Sequence, residues 1–322
     1  MIHDQHHYHT LIEEAIHQYR MPQQPAGLYD PVRYAMDCGG KRMRPILCMA
    51  MCEALGGKAQ DAINQALAIE MFHNFTLLHD DVMDSADMRR GRPTVHVRWD
   101  DRTAILSGDA MLSMATELVN EGVDASTAAS CRRLLYRTAM EVYEGQQYDM
   151  DFENRDDVTV DDYLNMIRLK TSVLIGCACR MGAIVAGADE DVQHQTYRFG
   201  ELLGLAFQLR DDYLDTYGDP IMFGKEIGGD IVNDKKTWFL INAMAEDQSG
   251  VIKSELSLPS EPRHKIQRVK EVYDNLGLPE RCGELIERYI SEAKQCVARL
   301  QLVPADANFF TELAGKSSTR TQ

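Results

Sequence analysis

The chain has 322 residues, 44% of them hydrophobic, and a formal net charge of −16 at pH 7. This length is enough for one large domain or two ordinary ones, with a sizeable buried core. The negative charge repels nucleic acid and anionic membranes, so neither is expected as a partner. An anionic substrate would need metal ions or clustered Lys and Arg to bind.

Cysteine use and hydropathy predict a cytoplasmic protein. The eight cysteines include no C-x-x-C pair, and several lie in apolar helical stretches, as expected of reduced and buried thiols. No run approaches the roughly 18 apolar residues of a membrane span. The N-terminus has no basic region followed by an apolar core, so no secretory signal is predicted.

Helical periodicity covers nearly every long segment between two predicted flexible tails, residues 1–9 and 315–322. Alternating strands bounded by turn residues are not found in the sequence. The predicted helices, in chain order, are a stripe from Leu67 to Leu78, residues 103–120, 125–152 and 160–187, a stripe from Phe199 to Tyr213, and residues 232–247, 262–275 and 279–300. This pattern predicts a single all-α domain over residues 1–322, with its motifs at about 30–240.

Three breaks between the predicted helices carry glycines and basic side chains: residues 39–45, 85–93 and 217–236. Glycine tolerates backbone conformations that other residues avoid, so the last of these segments is predicted to be able to close over a site. Loops and helix starts also present backbone N–H groups that favour anions.

Basic residues in the first two breaks are predicted to bind anions, because arginine offers a planar fork for phosphate oxygens and lysine a point charge. These residues are Lys41, Arg44, Arg89 and Arg90. Arg42 and Arg92 are interpreted as ordinary surface charge.

Two acidic clusters with the pattern D-D-x-x-D each follow an apolar helical stretch. They are Asp80, Asp81 and Asp84, and Asp211, Asp212 and Asp215. On a helix, residues i, i+1 and i+4 project from adjoining parts of one face. Carboxylates this close repel unless cations lie between them, and such oxygen ligands suit Mg²⁺ shared with substrate phosphates. A single cluster, which solvated charge could also explain, would be moderate evidence at best, but two predict a site where opposed acidic faces hold a metal-bound diphosphate.

The segments around these clusters resemble the motifs of the trans-isoprenyl diphosphate synthases. The first motif is residues 77–94 (LLHDDVMDSADMRRGRPT) and the second is residues 207–215 (FQLRDDYLD). Residues 40–45 (GKRMRP), 170–172 (KTS) and 224–225 (GK) occur in the order of the family. The likeness runs from about residue 30 to residue 240, and the segment after 245 carries little of it.

The resemblance implies a bundle of about ten core helices around a deep central cavity, and a homodimer. It implies head-to-tail condensation of isopentenyl diphosphate with an allylic diphosphate (dimethylallyl, geranyl or farnesyl), with release of diphosphate. Three Mg²⁺ ions would bridge the allylic diphosphate to both aspartate motifs. The released diphosphate would then accept the final proton, since no His or Glu stands out as the general base.

The resemblance also implies a role for individual residues. The principal metal ligands would be Asp80, Asp84 and Asp211, with Asp81, Asp212 and Asp215 acting directly or through water. The allylic diphosphate would be clamped by Arg89, Lys170 and Lys225. Isopentenyl diphosphate would be held by Lys41, Arg44, His73 and Arg90. Thr171 and Gln208 would face the developing allylic cation, and Lys235 would join when the loop at 218–236 closes.

Product length would be set by bulky residues behind the first aspartates. Phe75 lies five residues before Asp80, about 7.5 Å along the helix axis at 1.5 Å per residue. In the family a bulky residue at this place acts as a floor, and Phe72 and Met71 lie roughly one turn deeper. A packed core residue is the other interpretation of Phe75. The first motif also lacks the insertion typical of bacterial farnesyl enzymes, so a C15 or C20 product is expected, with C20 favoured.

Two other classes of protein share parts of this pattern. A class I terpene cyclase also ionises allylic diphosphates, but it usually carries a mixed Asn/Ser/Glu second motif and lacks a site for isopentenyl diphosphate. A non-catalytic subunit of a heteromeric synthase commonly loses the aspartates that this chain keeps. The presence of residues 40–45 and of all six aspartates favours the elongating synthase over both.

Overall fold

The computed structural model describes residues 2–219, 227–257 and 261–318. Over these ranges the regular secondary structure is helical apart from one short hairpin, so the predicted all-α fold class is confirmed. No helix in the described ranges is both long and apolar enough to cross a membrane.

The helices agree closely with the sequence periodicity. Those of the first half are α1 Gln5–Gln18, α2 Ala26–Met36, α3 Met43–Ala54, α4 Ile63–Met83, α5 Val95–Arg98, α6 Asp101–Leu118 and α7 Ala125–Phe152. A 3₁₀ turn at Ala59–Ala62 precedes α4, and the hairpin pairs β1 Met88–Arg89 with β2 Arg92–Pro93. Those of the second half are α8 Val160–Ile167, a π-helical turn Arg168–Ser172, α9 Val173–Val185, α10 Glu190–Tyr217, α11 Gly229–Val232, α12 Trp238–Glu246, α13 Val251–Ser257, α14 Pro262–Asn275, α15 Leu278–Arg299 and α16 Pro304–Ser318.

One predicted boundary was wrong by several residues. The helix expected at 232–247 begins at Trp238, because Thr237 has an extended backbone and its side chain accepts the backbone N–H of Leu240. A threonine in this position satisfies one of the N–H groups that the first helical turn leaves unpaired.

Residues 5–9 of the first predicted tail and residues 315–318 of the second are helical in the structure. Helix α1 begins at Gln5 behind Asp4, whose carboxylate accepts the backbone N–H of His7 at 2.8 Å. Tyr8 and Ile12 of this helix are fully buried, one turn apart. The sequence analysis missed this apolar row because several histidines surround it. At the other end, residues 315–318 continue α16, and residues 319–322 lie outside the described part of the chain.

The chain divides into two compact units, whereas the sequence predicted a single domain. The first unit is Met1–Thr138 with Cys177–Tyr197 and Leu302–Asp306, and the second is Ala139–Gly176 with Arg198–Gln301 and Ala307–Gln322. Each unit is assembled from separated segments of chain. The single domain and its deep central cavity therefore stay predictions.

The core of the first unit contains the thiols that the sequence predicted to be buried. Cys48, Cys52, Cys131, Cys177 and Cys179 are all buried and unbridged. Burial raises the pKa of the Cys131 thiol to about 12, so these sulfurs behave as small apolar groups at neutral pH.

The core of the second unit is an aromatic cluster around Phe239 of α12. Its ring stacks on Tyr273 of α14, with the centroids 5.5 Å apart, and lies 5.7 Å from Tyr217 at the end of α10. Buried aromatic pairs contribute about 0.5–1.5 kcal/mol beyond the area they remove from water. This cluster anchors the helix that carries the second aspartate group.

Candidate active site

The first aspartate group forms the polar end of α4. This helix is buried along most of its length, and its last turn carries Asp80 and Asp81. Asp84 is the C-cap residue, with its backbone N–H donating to the carbonyl of Asp80 at 2.8 Å. Asp81 is buried, Asp80 is half-buried and Asp84 is exposed. The carboxylates of Asp80 and Asp84 therefore stand one helical turn apart at the solvent end of an otherwise apolar helix.

A tight hairpin that follows α4 in the chain carries Arg89 and Arg90, the two arginines predicted to bind anions. Arg90 and Gly91 have φ angles of 52° and 73°, the pattern of a type I′ turn between two short strands. Arg89 donates from Nε and Nη2 to Oδ1 of Asp81, at 2.8 and 2.7 Å. The break at residues 85–93 thus contains a hairpin, and two nitrogens of Arg89 tie this hairpin to the first aspartate motif through an ion pair with Asp81.

The glycine-rich segment before α3 is pinned by Arg90 from this hairpin. The Arg90 guanidinium donates to the carbonyl of Gly39. Gly40 has a φ of 133°, and a Cβ added there would lie 2.8 Å from Cζ of Arg90. Only glycine allows this approach, which explains the glycine pair in the predicted anion site.

Arg44 and His73 form a half-buried pair between α3 and α4. Nη1 of Arg44 donates to Nε2 of His73 at 3.0 Å. Burial lowers the pKa of Arg44 to about 10, and the neighbouring charge of Arg90 acts in the same direction. Burial, with the positive charge of Arg44 and Arg90, holds the pKa of His73 well below its usual range. A neutral imidazole can accept from Arg44, and the guanidinium remains charged at neutral pH.

Arg92 and Arg42, which the sequence analysis interpreted as surface charge, have different environments in the structure. Arg92 lies over the ring of Tyr34, 4.1 Å from the centroid, and donates to the carbonyl of Asp37 at 3.1 Å. The interpretation of Arg42 as surface charge was wrong, because this residue is only 3% exposed.

The predicted chain-length residues lie inside the first unit. Met71 and Phe72 are fully buried, and Phe75 is 5% exposed. The ring of Phe75 meets Phe72 at 5.4 Å and His79 at 4.8 Å, edge to face in both pairs. His79 in turn lies 3.0 Å from the carbonyl of Ile105. These contacts describe a packed residue, and the role of Phe75 as a floor stays a prediction.

In the second unit, Lys170 and Thr171 project from the π-helical turn between α8 and α9. Two glycines make room for this wider turn. A Cβ at Gly145 of α7 would overlap the backbone nitrogen of Lys170, and one at Gly204 of α10 would lie 2.5 Å from Cα of Ser172. Single π-helical turns are rare in proteins, and those that occur are often found at functional sites. The backbones of α7 and α10 thus approach the turn directly and set where its side chains point.

Lys170 is paired with a residue that the sequence analysis did not single out. Its Nζ lies 2.6 Å from Oδ2 of Asp149, and both side chains are about three-quarters buried. Asp149 stands four residues after Gly145 on α7. One face of this helix therefore carries both the glycine that leaves room for the π-helical turn and the carboxylate that pairs with Lys170.

Thr171 and Gln208 begin a hydrogen-bonded chain that reaches the second aspartate group. The Thr171 hydroxyl donates to Oε1 of Gln208 at 3.3 Å, and Nε2 of Gln208 donates to Oδ1 of Asp212 at 3.1 Å. The hydroxyl of Tyr163, which the sequence analysis also missed, donates to Oδ2 of Asp212. Burial raises the pKa of the Asp212 carboxyl to about 7, with nearby Lys235 opposing the shift.

The other acidic residues of this group lie around the end of α10. Asp211 is half-buried. Asp215 accepts the backbone N–H of Asp230 at 2.9 Å through Oδ2, and its carbonyl accepts that of Gly228 at 2.7 Å. Lys235 is exposed, with Nζ 3.8 Å from Oδ1 of Asp230. Lys225 lies outside the described residues.

The donor chemistry fits magnesium. Across residues 2–219, 227–257 and 261–318, no three His, Cys, Asp or Glu side chains gather as a ready-made metal cluster. Mg²⁺ seldom uses such an all-protein cage, since it binds one or two carboxylates, retains water and takes phosphate oxygens from substrate. Asp80 and Asp84, one turn apart at a solvent-facing helix end, offer such an incomplete set of oxygens.

Comparison with known proteins agrees with this chemistry. The polyprenyl synthetase family model matches residues 25–276. The geranylgeranyl diphosphate synthase of Methanosarcina mazei is 40% identical over 233 residues, 72% of each chain. The geranylgeranyl pyrophosphate synthase of Geoglobus acetivorans is 38% identical over 307 residues, 94% of each chain. A crystal structure of a geranylgeranyl pyrophosphate synthase superposes with a TM-score of 0.94 at 46% identity, covering 98% of this chain and 99% of that one.

The fold and the matches define an all-α prenyltransferase. The chain belongs to the polyprenyl synthetase family, as the match over residues 25–276 establishes. Enzymes of this family depend on Mg²⁺ and use isopentenyl and allylic diphosphates as substrates. The family resemblance expected from the sequence is therefore confirmed.

Gly145→Ala tests whether the close approach of α7 positions Lys170. The added methyl would overlap the Lys170 backbone, and a displacement of about 1 Å can cost about 100-fold in rate. We therefore expect kcat for prenyl transfer to fall by roughly 10- to 100-fold, measured by steady-state kinetics. Gly283→Ala is the matched control, since a Cβ on that residue of α15 would meet nothing within 4 Å. A folded Gly145→Ala variant with unchanged kcat would contradict the assignment.

Proposed function

We propose that the protein condenses isopentenyl diphosphate head-to-tail with an allylic diphosphate and makes a C20 prenyl diphosphate. One observation carries this proposal: α4 of the first unit ends in two aspartates and also carries His73, which pairs with the guanidinium of Arg44. Asp80 and Asp84 end α4, while Arg44, His73 and Arg90 gather around the segment before α3. The C20 length is supported by the names of the relatives at 38–40% identity.

Binding of the allylic diphosphate would use the aspartates of both motifs. Bound Mg²⁺, three ions in our proposal, would neutralise the charge that develops on the leaving diphosphate as its C–O bond breaks. Asp80, Asp84 and Asp211 would supply the principal oxygens, with Asp81, Asp212 and Asp215 acting directly or through water. Arg89, Lys170 and Lys225 would hold the remaining phosphate oxygens. Lys235 would join them on closure of the loop before it.

Isopentenyl diphosphate would bind at the glycine-rich segment of the first unit through Lys41, Arg44, His73 and Arg90. The Nε–H of Arg44 is buried and donates to no acceptor within the described residues. A buried donor without an acceptor costs about 1–3 kcal/mol, and a diphosphate oxygen would remove that cost. The neutral imidazole of His73 keeps Arg44 oriented without adding another positive charge.

The allylic cation would face oxygen atoms in the second unit. Oε1 of Gln208 is held by the Thr171 hydroxyl, and its Nε2 is held by Asp212, so the direction of this amide dipole is fixed. A preorganised dipole aimed at developing charge stabilises the transition state more than the ground state. Water must be excluded because it would quench the cation. The released diphosphate would accept the proton from the condensation product.

The proposal can be separated from the two alternative classes by one set of incubations. A terpene cyclase would consume the allylic substrate without isopentenyl diphosphate and release a hydrocarbon. A non-catalytic subunit would leave both substrates unchanged when purified alone. The elongating synthase requires both diphosphates and forms longer prenyl diphosphates, which chromatography resolves by chain length.

Asp80→Ala tests the metal assignment in the first unit. Loss of a ligand for transition-state charge should lower kcat by about 100- to 1,000-fold at saturating Mg²⁺, measured by release of diphosphate. Asp101→Ala is the control, because this aspartate of α6 has a side chain that is 70% exposed and lies beside His96, away from the acidic end of α4 in sequence. Near-normal turnover of the Asp80 variant would remove that residue from the metal site.

Phe75→Ala tests the chain-length assignment. We expect products longer than C20 with the condensation chemistry retained, because the side chain would no longer block the growing prenyl chain. The control is Ile69→Ala, which also empties a fully buried position on α4 but lies about 120° around the helix. An unchanged product spectrum, or equal lengthening in both variants, would show that Phe75 is not the floor.

We also propose that the protein is a homodimer that pairs through α6 and α7. Large apolar side chains on these helices are exposed: Leu106 by 59%, Met140 by 58% and Tyr136 by 49%. Large exposed apolar side chains are common at interaction surfaces. The cytoplasmic location expected from the sequence stays a prediction.

Leu106→Glu tests the dimer, since a charge in a buried apolar interface is costly. Sedimentation should show twice the chain mass of 36.4 kDa for the natural sequence and a shift towards the single chain for the variant. Val303→Glu is the control, because Val303 is 54% exposed and lies outside both helices. A single-chain mass for the natural sequence would disprove the dimer.

A further inference from the structure

Arg42 carries a buried charge in the first unit, although it stands between two residues assigned to substrate. Its side chain is 1% exposed. Nε donates to Glu13 at 2.7 Å, Nη1 donates to Glu70 at 2.7 Å, and Nη2 donates to the carbonyl of Met36 at 2.6 Å. Each nitrogen of the guanidinium already has a protein acceptor, so Arg42 is not placed to bind substrate.

The acceptors of Arg42 come from three different helices. Glu13 lies on α1, Met36 is the last residue of α2, and Glu70 lies on α4. The carbonyl of Met36 is one that the end of a helix leaves unpaired. Glu70 is fixed in turn by Asn74, whose Nδ2 donates to its Oε1 at 3.0 Å and to its carbonyl at 2.8 Å. One guanidinium thus joins three helices to the start of a fourth.

The backbone at Arg42 is held in an unusual conformation. Its φ of 48° lies in the left-handed region, and it is the N-cap residue of α3. A residue other than glycine adopts this conformation at a cost of about 1–3 kcal/mol, which surrounding contacts must offset. The conformation sends the Arg42 side chain into the interior while Lys41 is exposed and Arg44 reaches His73. The contacts of Arg42 therefore decide the direction of the side chains on both sides of it.

We propose that Arg42, with Glu13 and Glu70, is a positioning device that holds Lys41 and Arg44 in place for isopentenyl diphosphate. The inference rests on the proposed function and deepens its binding site. It makes α1 part of that site's support. Two further contacts tie α1 to the same segment: Nε2 of His9 lies 3.3 Å from the carbonyl of Gly40, and Nε2 of Gln5 lies 3.5 Å from Sδ of Met43.

The charge balance explains why Glu13 is the residue to change. Burial opposes the charge of Arg42, but the carboxylates of Glu70 and Glu13 outweigh it and raise the pKa of Arg42 above its usual value. Removing Glu70 would leave a buried cation facing a void, a change that can unfold the unit. Glu13 is 28% exposed, so water can replace part of its contact and the fold can survive.

The experiment compares Glu13→Ala, Glu13→Gln and the natural sequence by isothermal titration with isopentenyl diphosphate alone. We expect Kd to rise about three- to tenfold for Glu13→Ala, with a smaller rise for Glu13→Gln, which retains an acceptor oxygen, tenfold being 1.4 kcal/mol. In steady-state kinetics, KM for isopentenyl diphosphate should rise by a similar factor. KM for the allylic substrate and kcat should stay within about twofold, since the second unit is untouched.

Tyr8→Phe is the matched control for loosening α1. The Tyr8 hydroxyl donates to Glu53 on α3, so this change weakens the docking of the same helix without touching Arg42. We expect Tm to fall in Tyr8→Phe and in Glu13→Ala, but Kd for isopentenyl diphosphate to change only in the latter. Equal Kd values in all variants, or equal rises in Tyr8→Phe and Glu13→Ala, would overturn the inference. If the natural protein binds isopentenyl diphosphate but does not condense it, the proposed function fails and the titration still tests the positioning role.

Discussion

Helix α4 determines how charge is arranged in the first unit. Glu70, His73, Asp80 and Asp84 recur at spacings that keep them near one face of the helix. Glu70 receives Arg42 and His73 receives Arg44, while the two aspartates stand at the solvent end. His73 and Asp80 are about 10.5 Å apart along the axis at 1.5 Å per residue. A single rigid helix therefore spaces the proposed isopentenyl diphosphate site from the proposed metal ligands.

Desolvation gives this arrangement its chemical effect. The whole chain is strongly acidic, yet burial, together with the positive charge of Arg44 and Arg90, lowers the pKa of His73 so far that the imidazole stays neutral. Cations with few competing waters bind a diphosphate more strongly than exposed ones, because the local dielectric is lower. The cost of gathering like charges is offset in part by buried Glu70, which carries a carboxylate beneath them.

Glycines serve both units by letting backbone or guanidinium groups approach where a methyl would collide. Gly40 admits Arg90 in the first unit, and Gly145 and Gly204 admit the π-helical turn in the second. In each case the group brought close carries or borders a side chain assigned to substrate. A glycine at these points makes no side-chain packing contacts, but it lets a neighbouring group approach closely enough to be held in position, as functional sites require.

Local patterns in the sequence determined the helices and the two aspartate groups, because helical periodicity and motif spacing involve residues only a few positions apart. The reaction class followed from the resemblance of these motifs to those of a known family. The burial of Arg42, the docking of α1 and the pairing of Lys170 with Asp149 were decided by tertiary structure. Their partners lie 28 and 29 residues from Arg42 and 21 residues from Lys170, on helices whose packing no local pattern reports. The apolar row of Tyr8 and Ile12 was missed because histidines surround it in the sequence. Arg42 was interpreted as surface charge because it stands among other basic residues, and only the packing of three helices around it shows that it is buried.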